Sequence, residues 1–251
     1  MKKYSEPLKQ VSIAEITPGT DMSELFKIIE KYNFLRINLG VETPACADFH
    51  GTDTHRVLDE LCDNRKKVGF RTELHLNGGN QFWFQFATCG EVLSKQRGPN
   101  RVVFNLDTIQ AEQYRWILGR SSELFERKEC YLLNSPQTNE ELGRLVAEFS
   151  LLERGVKFLN YPSNFDGGFQ VSMPLFGRSD DYDWCGRIGP DTAAPALDWI
   201  VARYGYGAAR IMTRGGVLTD KKTDLAKVGD YLENVAAWNS RAKSKLGSVR
   251  E

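Results

Sequence analysis

Short runs rich in β-branched and aromatic residues alternate repeatedly with longer stretches of helical spacing, and this alternation limits the possible folds more than any other feature of the chain. The expected strands are Val11 to Ile16, Phe34 to Val41, Phe70 to Leu76, Val102 to Leu106, Cys130 to Leu133 and Val156 to Asn160, then a weaker seventh at Phe169 to Met173 and an eighth at Ala208 to Thr213. Helices are expected between them at Asp21 to Tyr32, Asp53 to Lys67, Gln81 to Lys95, Gln110 to Arg127 and Asn139 to Arg154. The last repeats Leu142, Leu145, Val146, Phe149 and Leu152 at three- and four-residue spacings, with Thr138 or Asn139 as N-cap.

Strand and helix in turn call for a parallel sheet covered by helices, because each parallel pair needs a crossover. Six or more such units in 251 residues favour an α/β fold of the TIM-barrel type, a (βα) barrel or partial barrel, over a doubly wound open sheet. The regular core spans 10–161. A stretch rich in Gly, Pro and Asp, 162–190, reads as a lid or hairpin after the sixth strand. Residues 191–246 return to β and α elements, with helices at Thr192 to Tyr204 and Asp224 to Lys245. No linker divides the chain, so one barrel domain over 1–251 is expected.

Within the second, third and fourth strands, polar residues recur with period two. Arg36, Asn38, Gly40 and Glu42 oppose Leu35, Ile37, Leu39 and Val41; Arg71, Glu73, His75 and Asn77 oppose Phe70, Thr72, Leu74 and Leu76. Arg101, Asn105 and Asp107 share a face with Val103, opposite Val102, Phe104 and Leu106. Side chains alternate across a strand, so each strand has an apolar face for the helices and a polar face that points elsewhere. The polar face either lines a barrel cavity or forms an internal ion-pair network or a solvated sheet face. In the first case Glu42, His75 and Asp107 sit at strand carboxyl ends, where such folds bind substrates, as catalytic candidates. Arg36, Asn38, Arg71, Glu73, Asn77, Arg101 and Asn105 are then substrate-binding candidates.

All three histidines, His50, His55 and His75, fall near that rim, and His50 and His55 with nearby carboxylates are compatible with a divalent metal. The alternative is structural: His55 opens a helix capped by Thr52 or Asp53. Towards the other end of the chain, RIGPDTAAPALDW and MTRGGVLTD place glycine turns after the last strands, where barrels often hold phosphate. Arg214, Gly215 and Gly216 are the anion-binding candidates there.

Three stretches, in order, resemble the radical S-adenosylmethionine family. INLGVETP resembles its second-strand segment ending Gly-Gly-Glu-Pro, HLNGG its third-strand Thr-Asn-Gly, and VFNLDT its fourth-strand Ser-Leu-Asp. The resemblance implies a (βα)6 partial barrel over the first 165 residues, with Glu42 at the methionine amino group and Asn77, Asn105 and Asp107 facing the lumen. It departs from the family at the loop after the first strand: ITPGTDMSELF has no cysteine where the family has CxxxCxxC. No iron-sulfur cluster is therefore expected.

The remaining composition narrows function further. Lys and Arg number 33, as do Asp and Glu, so no broad positive surface for nucleic acid is expected. No run reaches the length of a membrane helix and MKKYSEPLKQ carries no apolar signal core, so a cytoplasmic protein is expected. The five scattered cysteines form no CxxC pair and read as reduced and mostly buried. Two readings result. One is an enzyme acting on a small anionic metabolite, nucleotide or sugar phosphate by acid/base or metal-assisted chemistry, as isomerase, lyase or hydrolase. The other is a non-catalytic ligand-binding or partner protein on a degenerate, cluster-less barrel, with QFWFQF at Gln81 to Phe86 or the last helix as its contact surface.

Overall fold

A computed structural model describes residues 6–43, 49, 51–77, 98–105, 128–135, 139–161, 176, 178, 181–186 and 188–248. Eight parallel strands close into a barrel in sequence order: β1 (Gln10–Ile13), β2 (Ile37–Glu42), β3 (Arg71–Asn77), β4 (Arg101–Asn105), β5 (Glu129–Asn134), β6 (Lys157–Asn160), β7 (Tyr182–Trp184) and β8 (Arg210–Thr213). The ring shuts where Gln10 to Ile13 pair with Arg210 to Thr213. The described helices are α1 (Met22–Lys31), α2 (Asp53–Val68), α3 (Asn139–Glu148), α4 (Pro190–Tyr204) and α5 (Leu225–Ser248). Among the described residues, none is long and apolar enough to cross a membrane.

Local chemistry sets the helix boundaries. Asp21 caps α1 by accepting from the Glu24 amide at 3.0 Å, and Thr52 caps α2 by accepting from the His55 amide at 3.2 Å. Gly69 ends α2 at φ +92°, a left-handed conformation that costs glycine little. Leu25 and Ile29 of α1, and Leu58 and Leu61 of α2, are fully buried in the layer between helices and sheet. That layer also takes the outward-facing Val11, Ile37, Leu39, Leu74, Val102 and Phe104.

Two expectations need correction. The described seventh strand is Tyr182–Trp184, inside the stretch read as lid or hairpin, whereas Phe169 to Met173 lies outside the described residues. The helix expected through Arg154 stops at Glu148 and unwinds through turns to Gly155 at φ +71°. The expected helices at Gln81 to Lys95 and Gln110 to Arg127, and QFWFQF with them, also lie outside the described residues. Strands β1 to β6 fall within the first 165 residues, and β7 and β8 complete the circle.

The lumen is filled, not hollow. Polar residues reach it from β1 to β4 and from β7, but Ala14, Val103, Tyr131, Leu133, Leu159, Cys185 and Met212 pack together inside as a second apolar cluster. Above Glu129, Lys157 and Arg210, the inward side chains Tyr131, Leu133, Leu159 and Met212 of β5, β6 and β8 are mainly apolar and occupy lumen volume beside the polar stripe.

Candidate active site

The centre of the barrel is a buried ion network. Arg101 and Glu73 are each 0% exposed and form an ion pair. Arg101 also donates to Asp183 Oδ2 at 2.5 Å, and its guanidinium lies 4.0 Å from the centre of the Tyr131 ring. Ser12 donates to Glu73 Oε1 at 2.8 Å, Asn38 donates to Ser12 at 2.9 Å, and Gln10 donates to Asp183 at 2.8 Å. Burial alone pushes the Glu73 carboxyl up, but the Arg101 charge and the His75 hydrogen bond outweigh it and bring it down to about 2.

His75 continues this network towards the carboxyl end. Its Nε2 lies 3.0 Å from Glu73 Oε2, and an ionised carboxylate can only accept, so Nε2 carries the proton of this hydrogen bond. Nδ1 is buried with no hydrogen-bond partner among the described residues. Gly40 makes room for this pair, because a Cβ there would lie 3.1 Å from Glu73 Cβ and 3.2 Å from His75 Cδ2.

Above lies the carboxyl-end mouth, a cavity of about 500 Å³ lined by Glu15, Glu42, Tyr161, Gly186, Arg214, Gly215 and Gly216. Glu42 ends β2 in register with His75 and forms an ion pair with Arg214, which follows β8. The loops after β7 and β8 meet backbone to backbone: a Cβ on Gly216 would fall 2.3 Å from the Ile188 carbonyl oxygen, and Thr213 donates to that oxygen at 2.6 Å. Only glycine fits this contact. The approach sets Gly216 against Gly189, the N-cap of the 15-residue α4.

The Glu15 carboxyl is raised above its ordinary range, first by burial and then by the neighbouring Glu42 charge, with Arg214 and His75 acting in the opposite sense. A raised carboxyl holds its proton more tightly in the folded than in the unfolded chain. Stability therefore falls as pH rises from the ordinary value of 4.5 through the raised one. Glu15→Gln is expected to melt above the parent protein near neutral pH, with the difference vanishing near pH 4. Melts that coincide at every pH would show that the Glu15 carboxyl is not raised by folding.

The sequence candidates thus divide by height. Glu42, Arg214, Gly215 and Gly216 come together at the carboxyl-end mouth; His75 lies beside Glu42 in register but does not line that cavity. Glu73, Arg101 and Asn38 belong to the buried network. Arg36 and Arg71 stand at the opposite, amino-terminal mouth. Asn77 and Asn105 end β3 and β4 and pair in register, while Asp107 and His50 lie outside the described residues. His55 sits in the first turn of α2, where its Nδ1 accepts from the Gly51 amide at 3.4 Å and its ring lies 5.1 Å from that of Phe49. Among the described residues, no group of three or more His, Cys, Asp or Glu is placed to hold a metal ion.

Sequence reasoning missed Glu15, Tyr161 and Asp183. Gln10 and Ser12 alternate with Val11 and Ile13, so the polar stripe could have been followed into β1; nothing comparable marks Glu15, which lies beyond the end of that strand.

No protein-family model and no curated protein matches this chain. Solved structures do resemble it in fold. Phosphoribosylanthranilate isomerase from Thermotoga maritima, in a monomeric form, matches with a TM-score of 0.54 at 14% identity, over 91% of this chain and 98% of that one. The phospho-2-dehydro-3-deoxyheptonate aldolase of Thermotoga maritima matches with a TM-score of 0.56 at 12% identity, over 95% and 70% of the two chains. Ribulose-1,5-bisphosphate carboxylase/oxygenase from Pyrococcus horikoshii gives 0.54 at 11%, over 97% of this chain and 63% of that larger one. These likenesses place the chain in the TIM-barrel fold, and at such identities they speak for the fold alone.

Proposed function

We propose that this chain is an enzyme that transfers protons on a small substrate bearing one anionic group, bound at the carboxyl-end mouth of the barrel. The observation that carries this reading is the pairing of Glu15 and Glu42 in one cavity, with the Glu15 carboxyl raised and Glu42 engaged by Arg214. A carboxyl that holds its proton, beside a carboxylate that a cation can release, can serve as acid and base in one site. The anionic group of the substrate competes with Glu42 for the Arg214 guanidinium and rests against the Gly215–Gly216 turn. Its arrival releases Glu42 from Arg214 to act as base, while Glu15 donates. His75, with its Nε2 proton fixed by Glu73, orients groups next to Glu42 from below.

A pocket lined by two glutamates would be a poor host for a substrate that is anionic throughout. The substrate is therefore read as mixed, with its charge at the glycine side and its reacting, uncharged part between the carboxyls. A thermal-shift screen of phosphorylated sugars, short carboxylic acids and neutral sugars tests this. At least one phosphorylated or carboxylated member is expected to raise the melting temperature by on the order of 5–10 °C at a hundredfold excess over Kd. Arg214→Ala is expected to lose most of that shift. No stabilisation by any member, or an equal shift in Arg214→Ala, contradicts the proposal.

A further inference from the structure

The amino-terminal mouth holds a cavity of about 410 Å³, whose lining includes Gln10, Asn33, Leu35, Arg36, Phe70 and Arg71. We propose that this mouth is a second binding site, specific for a small oxyanion such as a phosphate or carboxylate group and separate from the carboxyl-end mouth.

Arg36 precedes β2 and is held beside β1, where the Val11 amide donates to its carbonyl oxygen at 3.0 Å. Its side chain is exposed and makes no hydrogen bond or ion pair among the described residues. Arg71 opens β3 and is 41% exposed; it pairs with Glu129 at 3.1 Å, and that carboxylate also lies 3.6 Å from Arg101 Nε. One carboxylate shared by two guanidiniums leaves Arg71 with donors to spare, since each guanidinium carries five N–H groups. The exposed Asn33 adds an amide at the same wall.

The local charge balance points the same way. The chain as a whole has zero formal net charge. Among the described residues that open a strand or immediately precede one, however, Lys9, Arg36, Arg71, Arg101, Lys128, Lys157 and Arg210 stand against Glu129 and Asp181, and a cleft concentrates the field of such an excess. Two guanidinium forks facing one cleft match the oxygen geometry of phosphate or carboxylate better than isolated ammonium groups would. Leu35 and Phe70, each about 5% exposed or less, give the cavity an apolar wall that limits competing water. The site lies at the far end of the barrel from Glu15 and Glu42, so its occupant takes no part in the chemistry proposed there.

The test is a titration of inorganic phosphate into 15N-labelled protein, with chloride at matched ionic strength as control, reading the Nε–H signals of Arg36 and Arg71 and the amide of Gly69. Saturable shifts are expected in the parent protein and in Arg214→Ala. Arg36→Ala, which removes an exposed side chain without a partner, is expected to weaken binding about tenfold or more. Shifts that chloride reproduces, shifts that never saturate, or unchanged affinity in Arg36→Ala would each overturn the proposal. The Arg214→Ala arm keeps this outcome distinct from the fate of the carboxyl-end site.

Discussion

Replacing Arg101 with Ala is expected to cost on the order of 3–5 kcal/mol in stability, read from urea denaturation at neutral pH. The guanidinium bridges β3 and β7 by pairing with Glu73 and Asp183, and both carboxylates are almost fully buried. Removing it takes the guanidinium from both charges in the barrel centre, leaving Asp183 with Arg210 at 4.0 Å and Glu73 with the His75 contact at 3.0 Å. The pH dependence gives the cause a signature. Glu73 is depressed to about 2, so in the parent protein its contribution is present above the ordinary value of 4.5 and is lost as pH falls towards 2. In Arg101→Ala the carboxyls become costly to ionise, so lowering the pH relieves the variant while it weakens the parent. The gap between them is therefore expected to narrow from about pH 5 to pH 2. A gap that is small at neutral pH, or that does not change with pH, would show that the network is not held by this arginine.

Glu42→Gln is expected to lower turnover of the substrate identified by screening by about 10²–10⁴-fold, the usual range for loss of a positioned acid or base. Its effect on stability should stay within about 1 kcal/mol, because the Glu42–Arg214 pair is partly exposed at a cavity rim. His75→Gln should lower turnover as well but with a larger stability cost, roughly 1.5–3 kcal/mol, since it breaks a buried hydrogen bond to an ionised carboxylate. The two variants separate chemistry from support. Unchanged turnover in Glu42→Gln would remove this residue from the mechanism.

Much of the barrel was legible because its strands announce themselves. β1 to β6 and β8 each contain a run of apolar residues at period two or in a continuous block, and each was read within a few residues of its position. β7 escaped because three residues carry no period, and because its central Asp183 is polar and sits inside a stretch of Gly and Asp. That aspartate can be buried because Arg101, 82 positions earlier, meets it across the lumen together with Gln10 and Arg210. The same distance explains why the polar stripe was ambiguous. Its alternation looks identical whether it lines a cavity or feeds an ion network. What decides between them is the packing of Tyr131, Leu133, Leu159 and Met212 from the other side of the barrel. At the carboxyl-end mouth, Glu42 and Arg214 to Gly216 could be named because they follow strand ends. Glu15 could not, since the first strand was expected to run through Ile16 but ends at Ile13, which lifts Glu15 into the rim. Arg36 and Arg71 were grouped with Glu42 and His75 by face alone; position along the strand puts them at opposite ends.

Substrate is proposed to bind between Glu15, Glu42 and the glycine turn after β8. The most direct measurement is a 15N–1H chemical-shift map recorded with the anionic compound that most stabilises the protein. The account predicts the largest shifts at the amides of Gly186, Gly215 and Gly216 and at the Nε–H of Arg214, all abolished in Arg214→Ala. Shifts confined to other surfaces, with these signals unmoved at saturation, would contradict it.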